Sequence, residues 1–174
     1  MRSAIIITAS NRAAAGVYKD LSGATLKTGL ENLGYQVIGH KLVQDEITQI
    51  STTIKGALTD GVDLIVTTGG TGISPTDVTP EATKNLIEKE IPGFAEALRA
   101  YSREKVPTAD LTRGLAGVNG KSLIINLPGS PGAVKDGLVI IERLAGHIFD
   151  QLAGHDHGTS NLIVNYCGSF SCTS

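Results

Sequence analysis

The sequence predicts an α/β layered fold, because short apolar runs alternate with helical patterns over its first 68 residues. Three β-branched runs, at residues 4–9, 36–43 and 62–67, have the length and composition of buried parallel strands. Apolar residues repeat at helical spacing between them, as Leu26, Leu30 and Leu33 and then as Ile47, Ile50, Ile54 and Leu58. Strand, helix and strand in this order require right-handed crossovers between parallel strands.

The remaining elements follow a glycine-rich turn after residue 68. Thr79 is expected to cap a helix, with Pro80 at its first position. Asn119-Gly120 is a strong signal for a hairpin turn. The other predicted elements are a helix over residues 92–103, the hairpin over 114–126, and a last helix from Ser130-Pro131 to about Leu152.

Composition argues against two classes of partner. The formal charge is −2, from 15 basic and 17 acidic residues, so no basic surface for nucleic acid is expected. No apolar run approaches the ~20 residues that cross a bilayer, and the apolar start at residues 4–7 is too short for a signal peptide. We therefore expect a cytoplasmic protein with one domain over residues 1–153 and a tail over 154–174.

The tail contains both cysteines. Cys167 and Cys172 could form a bridge, or join His155 and His157 at a metal, but their spacing matches no zinc signature. A solvated tail with two free thiols is the simpler interpretation. No histidine is given a catalytic role.

The most prominent motif runs from Thr67 to Gly72 and directly follows a predicted buried strand. Ligands of open α/β sheets bind beyond the carboxyl ends of strands. Gly69, Gly70 and Gly72 allow successive backbone N–H groups to form a nest for an anion, and Thr68 and Thr71 would add hydroxyl donors. The alternative is a tight turn that needs positive φ.

Two aspartates lie near this loop. Asp77 follows it, and a carboxylate beside an anion nest is compatible with phosphate when Mg²⁺ lies between them. Asp45 follows the second strand. The alternatives are that Asp77 caps a turn and that Asp45 caps the helix beginning at Ile47. Because neighbouring strands are about 4.8 Å apart, both carboxylates could face one crevice.

Two further helix starts have the composition of anion sites. One contains Asp20, Ser22 and Gly23, and the other contains Pro128, Gly129 and Ser130. Each combines a hydroxyl cap with a glycine. Ordinary helix capping is the alternative for each, but three such starts in one domain indicate a ligand with several phosphate groups.

These segments resemble the MoaB/Mog family of molybdenum-cofactor biosynthesis. The resemblance is carried by residues 67–83, TTGGTGISPTDVTPEAT, and extends to Asp20-x-Ser22-Gly23, to Pro92-Gly93-Phe94 and to residues 120–130. Order and spacing are also similar to those of the gephyrin G domain, over residues 3–153.

The resemblance implies a three-layer α/β/α sandwich with a mostly parallel sheet, and a homotrimer. It implies binding of molybdopterin, and a reaction with ATP and Mg²⁺ that yields adenylylated molybdopterin and pyrophosphate. The family's two functional aspartates fall on Asp45 and Asp77. Its binding residues fall on Asp20, Ser22, Gly23, Thr68, Gly69, Gly70, Thr71, Gly72, Pro128, Gly129 and Ser130.

The chain departs from the family pattern at residues 73–76, Ile-Ser-Pro-Thr, where many relatives carry one or two arginines. Arg99, Arg113 and Lys121 are the candidates to supply the missing charge. A non-catalytic molybdopterin-binding or carrier protein is the alternative function, and a trimeric scaffold is a third.

Overall fold

The computed structural model describes residues 1–17 and 19–154. Its sheet has six strands in the order β2-β1-β3-β6-β5-β4. The strands are β1 (Ser3–Ala9), β2 (Gln36–Val43), β3 (Leu64–Thr68), β4 (Lys89–Glu90), β5 (Ala116–Asn119) and β6 (Ser122–Leu127). The first four strands in spatial order pair in parallel, and β5 and β4 add an antiparallel edge. The predicted α/β class and mostly parallel sheet are confirmed.

Helices cover both faces of this sheet. One apolar cluster joins it to α2 (Leu21–Asn32), α5 (Pro92–Arg103) and α6 (Pro131–Leu152). A second joins the opposite face to α3 (Ile47–Thr59) and α4 (Thr79–Lys84). A single turn, α1 (Asn11–Ala14), and a 3₁₀ helix (Pro107–Leu111) lie in connections. The three-layer α/β/α sandwich is therefore confirmed.

The central strands explain why the apolar runs are continuous. In β3, Leu64 and Val66 enter one cluster and Ile65 enters the other, and all three side chains are fully buried. A parallel strand that is covered by helices on both faces needs an apolar side chain at every position. Truncating Ile65 to alanine would cost about 2–5 kcal/mol of folding free energy.

The structure corrects two boundaries. Thr79 is not the N-cap of α4, because Val78 occupies that position without a side-chain hydrogen bond. The buried Thr79 hydroxyl instead donates to the carbonyl of Gly69 at 2.9 Å. In the hairpin, Asn119 pairs with Ser122, so the turn is Gly120-Lys121 rather than Asn119-Gly120. Gly120 supplies the positive φ of 55°.

Two expectations concern the tail and the membrane. His155, His157, Cys167 and Cys172 lie outside the described residues. Within residues 1–17 and 19–154, no helix has both the length and the apolar character needed to cross a membrane.

Candidate active site

Loops from three neighbouring strands meet at one edge of the sheet. Thr8 of β1 is paired with Thr68 of β3, and Thr68 is paired with Leu127 of β6. The three strands therefore end at the same level, and residues 69–72 and 128–130 begin there. This is the carboxyl edge, where ligands of parallel sheets bind.

The glycine loop turns sharply after β3. Gly69 has φ 96° and Gly70 has φ 61°, a backbone region that favours glycine. A Cβ on Gly69 would lie 2.3 Å from the Ala9 carbonyl oxygen, and one on Gly70 would lie 2.5 Å from Oγ1 of Thr79. The tight-turn interpretation therefore holds, whatever the loop's N–H groups bind.

The two threonines of the loop are held by neighbouring segments. Thr68 is completely buried, and its hydroxyl donates to the Pro128 carbonyl at 2.9 Å. That hydrogen bond joins two loops and uses the proton that Thr68 is expected to offer a ligand, so a contact of Thr68 with a ligand stays a prediction. Oγ1 of Thr71 accepts from the Thr112 hydroxyl at 3.0 Å, which leaves the proton of Thr71 available.

Asp77 is part of a turn. Its Oδ2 accepts from the backbone N–H of Ser74 at 2.8 Å, and its own N–H donates to the Ser74 carbonyl at 2.9 Å. Asp45 does not cap α3, whose N-cap is Glu46. Instead, Oδ2 of Asp45 accepts from the backbone N–H of Asn11 at 2.8 Å. Asp45 is thus fixed by the segment that follows β1.

The two carboxylates flank the glycine loop. Oδ1 of Asp45 lies 3.2 Å from the Cβ position of Gly70, and Oδ2 of Asp77 lies 2.8 Å from that of Gly72. Burial raises the pKa of Asp45, the hydrogen bond from Asn11 opposes that shift, and repulsion from the Asp77 carboxylate adds to it. Both carboxylates thus lie beside the same glycine loop.

The other two predicted helix starts are joined to the glycine loop. Asp20 caps α2, with Oδ1 accepting from the Gly23 N–H at 2.8 Å. The Ser22 hydroxyl donates to the Gly129 carbonyl at 2.6 Å. A Cβ on Gly129 would lie 3.1 Å from Cα of Gly69. Three segments that are distant in sequence thus form one continuous surface.

His40 adjoins this surface, although the sequence indicates no catalytic role for any histidine. Its Nε2 lies 3.0 Å from Oδ2 of Asp20 and 2.9 Å from Oγ1 of Thr8. A Cβ on Gly23 would lie 2.3 Å from both the Asp20 carboxylate and the His40 ring, so this glycine makes room for that contact. Nothing in the sequence pattern links a strand histidine to a helix cap.

A cleft of about 800 Å³ opens beside the glycine loop. Among the predicted residues, it is lined by Gly70, Thr71, Gly72, Asp77, Pro128, Gly129 and Ser130. The opposite wall comes from α5, the 3₁₀ helix and α6, and among its residues only Arg99 is a candidate from the sequence. Polar and apolar side chains are mixed along it, and its residues are Leu98, Arg99, Tyr101, Ser102, Lys105, Val106, Thr108, Ala109, Leu111, Thr112, Gly132, Ala133, Lys135, Asp136 and Val139. Asp45, Asp20, Ser22, Gly23, Thr68 and Gly69 lie outside the lining.

The three candidates for the missing positive charge occupy different places. Arg99 lines the cleft and donates to the Thr112 carbonyl at 3.3 Å. Arg113 donates to backbone carbonyls of the loop that carries Asp77. Lys121 lies in the hairpin turn, at the opposite end of β6 from the cleft, and is therefore the wrong candidate.

Two other charged side chains of the cleft are paired. Lys105 Nζ lies 2.6 Å from Oδ1 of Asp136, and the Ser102 hydroxyl donates to Oδ2 at 2.8 Å. The Asp136 carboxylate raises the pKa of Lys105. Lys135 has no such partner within the described residues, so it and Arg99 are the cationic groups of the cleft least committed to other side chains.

Comparison with known proteins identifies the family of this chain. A family profile described as a probable molybdopterin binding domain matches residues 5–145. The chain belongs to this family. A protein of Helicobacter pylori strain J99 named molybdopterin adenylyltransferase is 41% identical over 153 residues, which cover 86% of this chain and 87% of that protein.

Solved structures of the molybdopterin-binding family have the same fold. The molybdopterin biosynthesis Mog protein from Mycobacterium ulcerans superposes with a TM-score of 0.83 at 47% identity, covering 87% of this chain and 99% of that one. The molybdopterin biosynthesis enzyme MoaB from Thermus thermophilus gives 0.82 at 37% identity, covering 88% and 98%.

Proposed function

We propose that this chain is a molybdopterin adenylyltransferase of molybdenum cofactor biosynthesis, which transfers AMP from ATP to molybdopterin. The observation that carries the proposal is the pair of carboxylates, Asp45 and Asp77, that flanks a glycine loop opening on the cleft. Relatives about 40% identical over most of the chain are named for this activity. The non-catalytic carrier is not favoured for the same reason.

The reaction joins two phosphate groups. A terminal phosphate oxygen of molybdopterin attacks the α-phosphorus of ATP, a new P–O bond forms, and the bond to the bridging oxygen breaks. The electron pair of that bond leaves with pyrophosphate. Such transfers need alignment and charge stabilisation more than covalent help from the protein.

The chain's own groups suit that task. Backbone N–H groups of residues 70–72 and 129–130 border the cleft and are the expected phosphate contacts. The Thr71 hydroxyl retains a proton to donate, and Ser130 lies at the amino end of the 22-residue helix α6, where the helix dipole favours anions. Asp45 and Asp77 add negative charge, so a cation is needed beside them.

Mg²⁺ fits this donor set. No group of three histidine, cysteine or acidic side chains suited to a metal occurs in residues 1–17 and 19–154. Two carboxylates that await substrate phosphates are, however, the usual protein contribution to a magnesium site. Asp77, and with it Asp45, would hold the ion, which when bound supplies charge neutralisation at the phosphates.

A homotrimer and a cytoplasmic location belong to the same proposal. The homotrimer rests on the family resemblance, and the location rests on the short apolar runs of the sequence. Sedimentation equilibrium of the full chain should return three times the monomer mass. A monomer at micromolar concentration would contradict the trimer and leave the enzymatic proposal intact.

The decisive experiment is a turnover assay with molybdopterin, ATP and Mg²⁺, in which adenylylated molybdopterin and pyrophosphate should appear in equal amounts. Titration calorimetry with ATP and Mg²⁺ accompanies it. Molybdopterin binding without ATP binding or turnover would replace the enzyme by the carrier.

A further inference from the structure

Arg113 contacts both ends of the loop that carries Asp77. Its Nε donates to the carbonyl of Gly72 at 2.7 Å, and its Nη2 donates to the carbonyl of Asp77 at 2.7 Å. Its backbone N–H donates to the Thr71 carbonyl at 2.8 Å. A single arginine from 36 residues downstream therefore spans residues 71–77.

These bonds fix more than the two oxygen atoms. A trans peptide group is planar, so a fixed carbonyl also fixes the next N–H in the opposite direction. The bonds to Gly72 and Asp77 thus orient the N–H groups of Ile73 and Val78. The turn between Ser74 and Asp77 lies inside this span, so the Asp77 carboxylate extends from a backbone that is held at both ends.

The guanidinium is not left as a free charge. Glu81 pairs with both of its terminal nitrogens, and this contact lowers the pKa of the Glu81 carboxyl. The side chains of Arg113 and Glu81 are 38% and 47% exposed. An ion pair so exposed adds little to stability, so the charge of the Arg113–Glu81 pair does not by itself account for the arrangement. The guanidinium N–H groups that donate to the two loop carbonyls and to the Glu81 carboxylate are directed at the loop and its flank rather than at a phosphate.

We propose that Arg113 is a positioning residue for adenylyl transfer, which sets the place of the Asp77 carboxylate by spanning the Gly72 and Asp77 carbonyls. The proposal rests on the proposed function, in which Asp77 acts on the phosphates. It also explains how residues 73–76 hold their shape without the arginines that relatives carry there. The arginine that contacts this loop is Arg113, which lies outside residues 73–76 and bonds to the backbone carbonyls of the loop.

The test compares Arg113→Ala, Arg113→Lys and Glu81→Gln with Arg103→Ala. Arg103 is a matched control, because it forms an ion pair of similar exposure with Asp110 and does not line the cleft. Arg113→Ala should lower kcat by about 10- to 100-fold, the cost of displacing a reacting group by about 1 Å. KM for molybdopterin should change by less than about threefold, since the residue acts on position rather than on binding.

The other two variants distinguish the bridging of the two carbonyls by Arg113 from the effect of its positive charge. A lysine ammonium cannot reproduce the fork that reaches two carbonyls, so Arg113→Lys should resemble Arg113→Ala. Glu81→Gln should stay within about threefold of wild type, because both carbonyl bonds remain. Full activity in Arg113→Lys, or a loss in Glu81→Gln as large as in Arg113→Ala, would overturn the proposal in favour of simple charge.

Hydrogen–deuterium exchange supplies a readout that does not need turnover. In Arg113→Ala, amides of residues 72–78 should exchange faster while those of α6 keep their protection. This result together with an inactive wild-type protein would refute the proposed function and leave the loop contact standing. Unchanged exchange and unchanged kcat in a folded Arg113→Ala would refute the positioning role. A variant that fails to fold would refute it as well, since the exposed pair would then be a determinant of stability.

Discussion

Asp45 is a carboxylate placed where its charge is unfavourable. Burial raises its pKa above the unfolded value, and the neighbouring Asp77 carboxylate adds to the shift. Ionisation is therefore easier in the unfolded chain than in the folded one. As pH rises from the unfolded pKa to the folded one, stability is lost, and at neutral pH the full penalty is present.

Asp45→Asn should remove that penalty. The amide oxygen can still accept from the Asn11 N–H, so at pH 7 the thermal unfolding midpoint should equal or exceed that of wild type. The difference should shrink as the pH falls through the raised pKa of Asp45, because the wild-type carboxylate then becomes protonated. Adenylylation should fall, because the variant no longer attracts a cation. A midpoint clearly below wild type at pH 7 would show that the carboxylate stabilises the fold.

Asp77→Asn should separate chemistry from structure in the same way. The asparagine oxygen can keep the bond from the Ser74 N–H, so the turn should survive. Loss of one well-placed electrostatic group lowers kcat by about 10²-fold or more. The measurement is turnover at saturating substrates, with circular dichroism as the check on folding. Wild-type kcat in this variant would exclude Asp77 from the reaction.

The residues of the site differ in how far the sequence predicts them. Asp45 and Asp77 are predictable, because both follow parallel strands whose ends meet at one edge. The contact between His40 and Asp20 is not, because it depends on how α2 lies across β2. The prediction that Thr79 caps α4 is wrong, because its hydroxyl donates to the buried carbonyl of Gly69 rather than capping the helix.

At the scale of elements, the glycine loop is held by contacts of unequal rigidity. The methyl group in Gly69→Ala would meet a backbone oxygen of Ala9 at 2.3 Å, whereas that in Gly70→Ala would meet Oγ1 of the Thr79 side chain at 2.5 Å, and a side-chain atom can shift more easily than the backbone of a strand. Both substitutions also impose a positive φ on alanine, at about 1–2 kcal/mol.

We therefore expect Gly69→Ala to destabilise the protein more than Gly70→Ala, and both more than Gly120→Ala. Gly120 is the matched control, with φ 55° and no atom within 4 Å of an added Cβ. Denaturant unfolding of the three variants measures the order. Equal losses of unfolding free energy at all three positions would mean that the positive φ alone sets the cost of each substitution. The packing of the loop against β1 would then be unimportant.

The elements with their own periodicity are the ones that the sequence predicts well. β2, α5 and the start of α6 have the expected bounds, because their apolar spacing and proline or serine starts are local signals. The two-residue strand β4 and the 3₁₀ helix carry no such signal. The second wall of the cleft consequently appears only when α5 packs against α6.

At the scale of the whole molecule, the cleft has the Asp77 carboxylate on the wall formed by the glycine loop, and Arg99 and Lys135 on the opposite wall. Lys105 also lies on that opposite wall, where Asp136 already neutralises it. A triphosphate placed at the glycine loop would face Asp45 and Asp77 first. Like charges in a partly desolvated site repel strongly, so under the proposed function we expect ATP binding to need a cation between them.

Chelation of Mg²⁺ should therefore abolish ATP binding, while molybdopterin, with one phosphate, should still bind measurably. Calorimetric titrations of each ligand with and without a chelator measure this directly, and Ca²⁺ in place of Mg²⁺ tests the need for near-octahedral coordination. Equal ATP affinity with and without the metal would refute the charge argument and direct attention to Arg99 and Lys135.

The hairpin turn at Gly120-Lys121 has a practical use. It lies at the start of β6, whereas the cleft lies beyond that strand's other end, and Lys121 is exposed. A dye or surface linker attached there would be separated from the reacting phosphates by the length of a six-residue strand, roughly 20 Å. Single-molecule fluorescence or immobilised turnover assays can thus be built on this position, with the chemistry at the far edge of the sheet left open to solution.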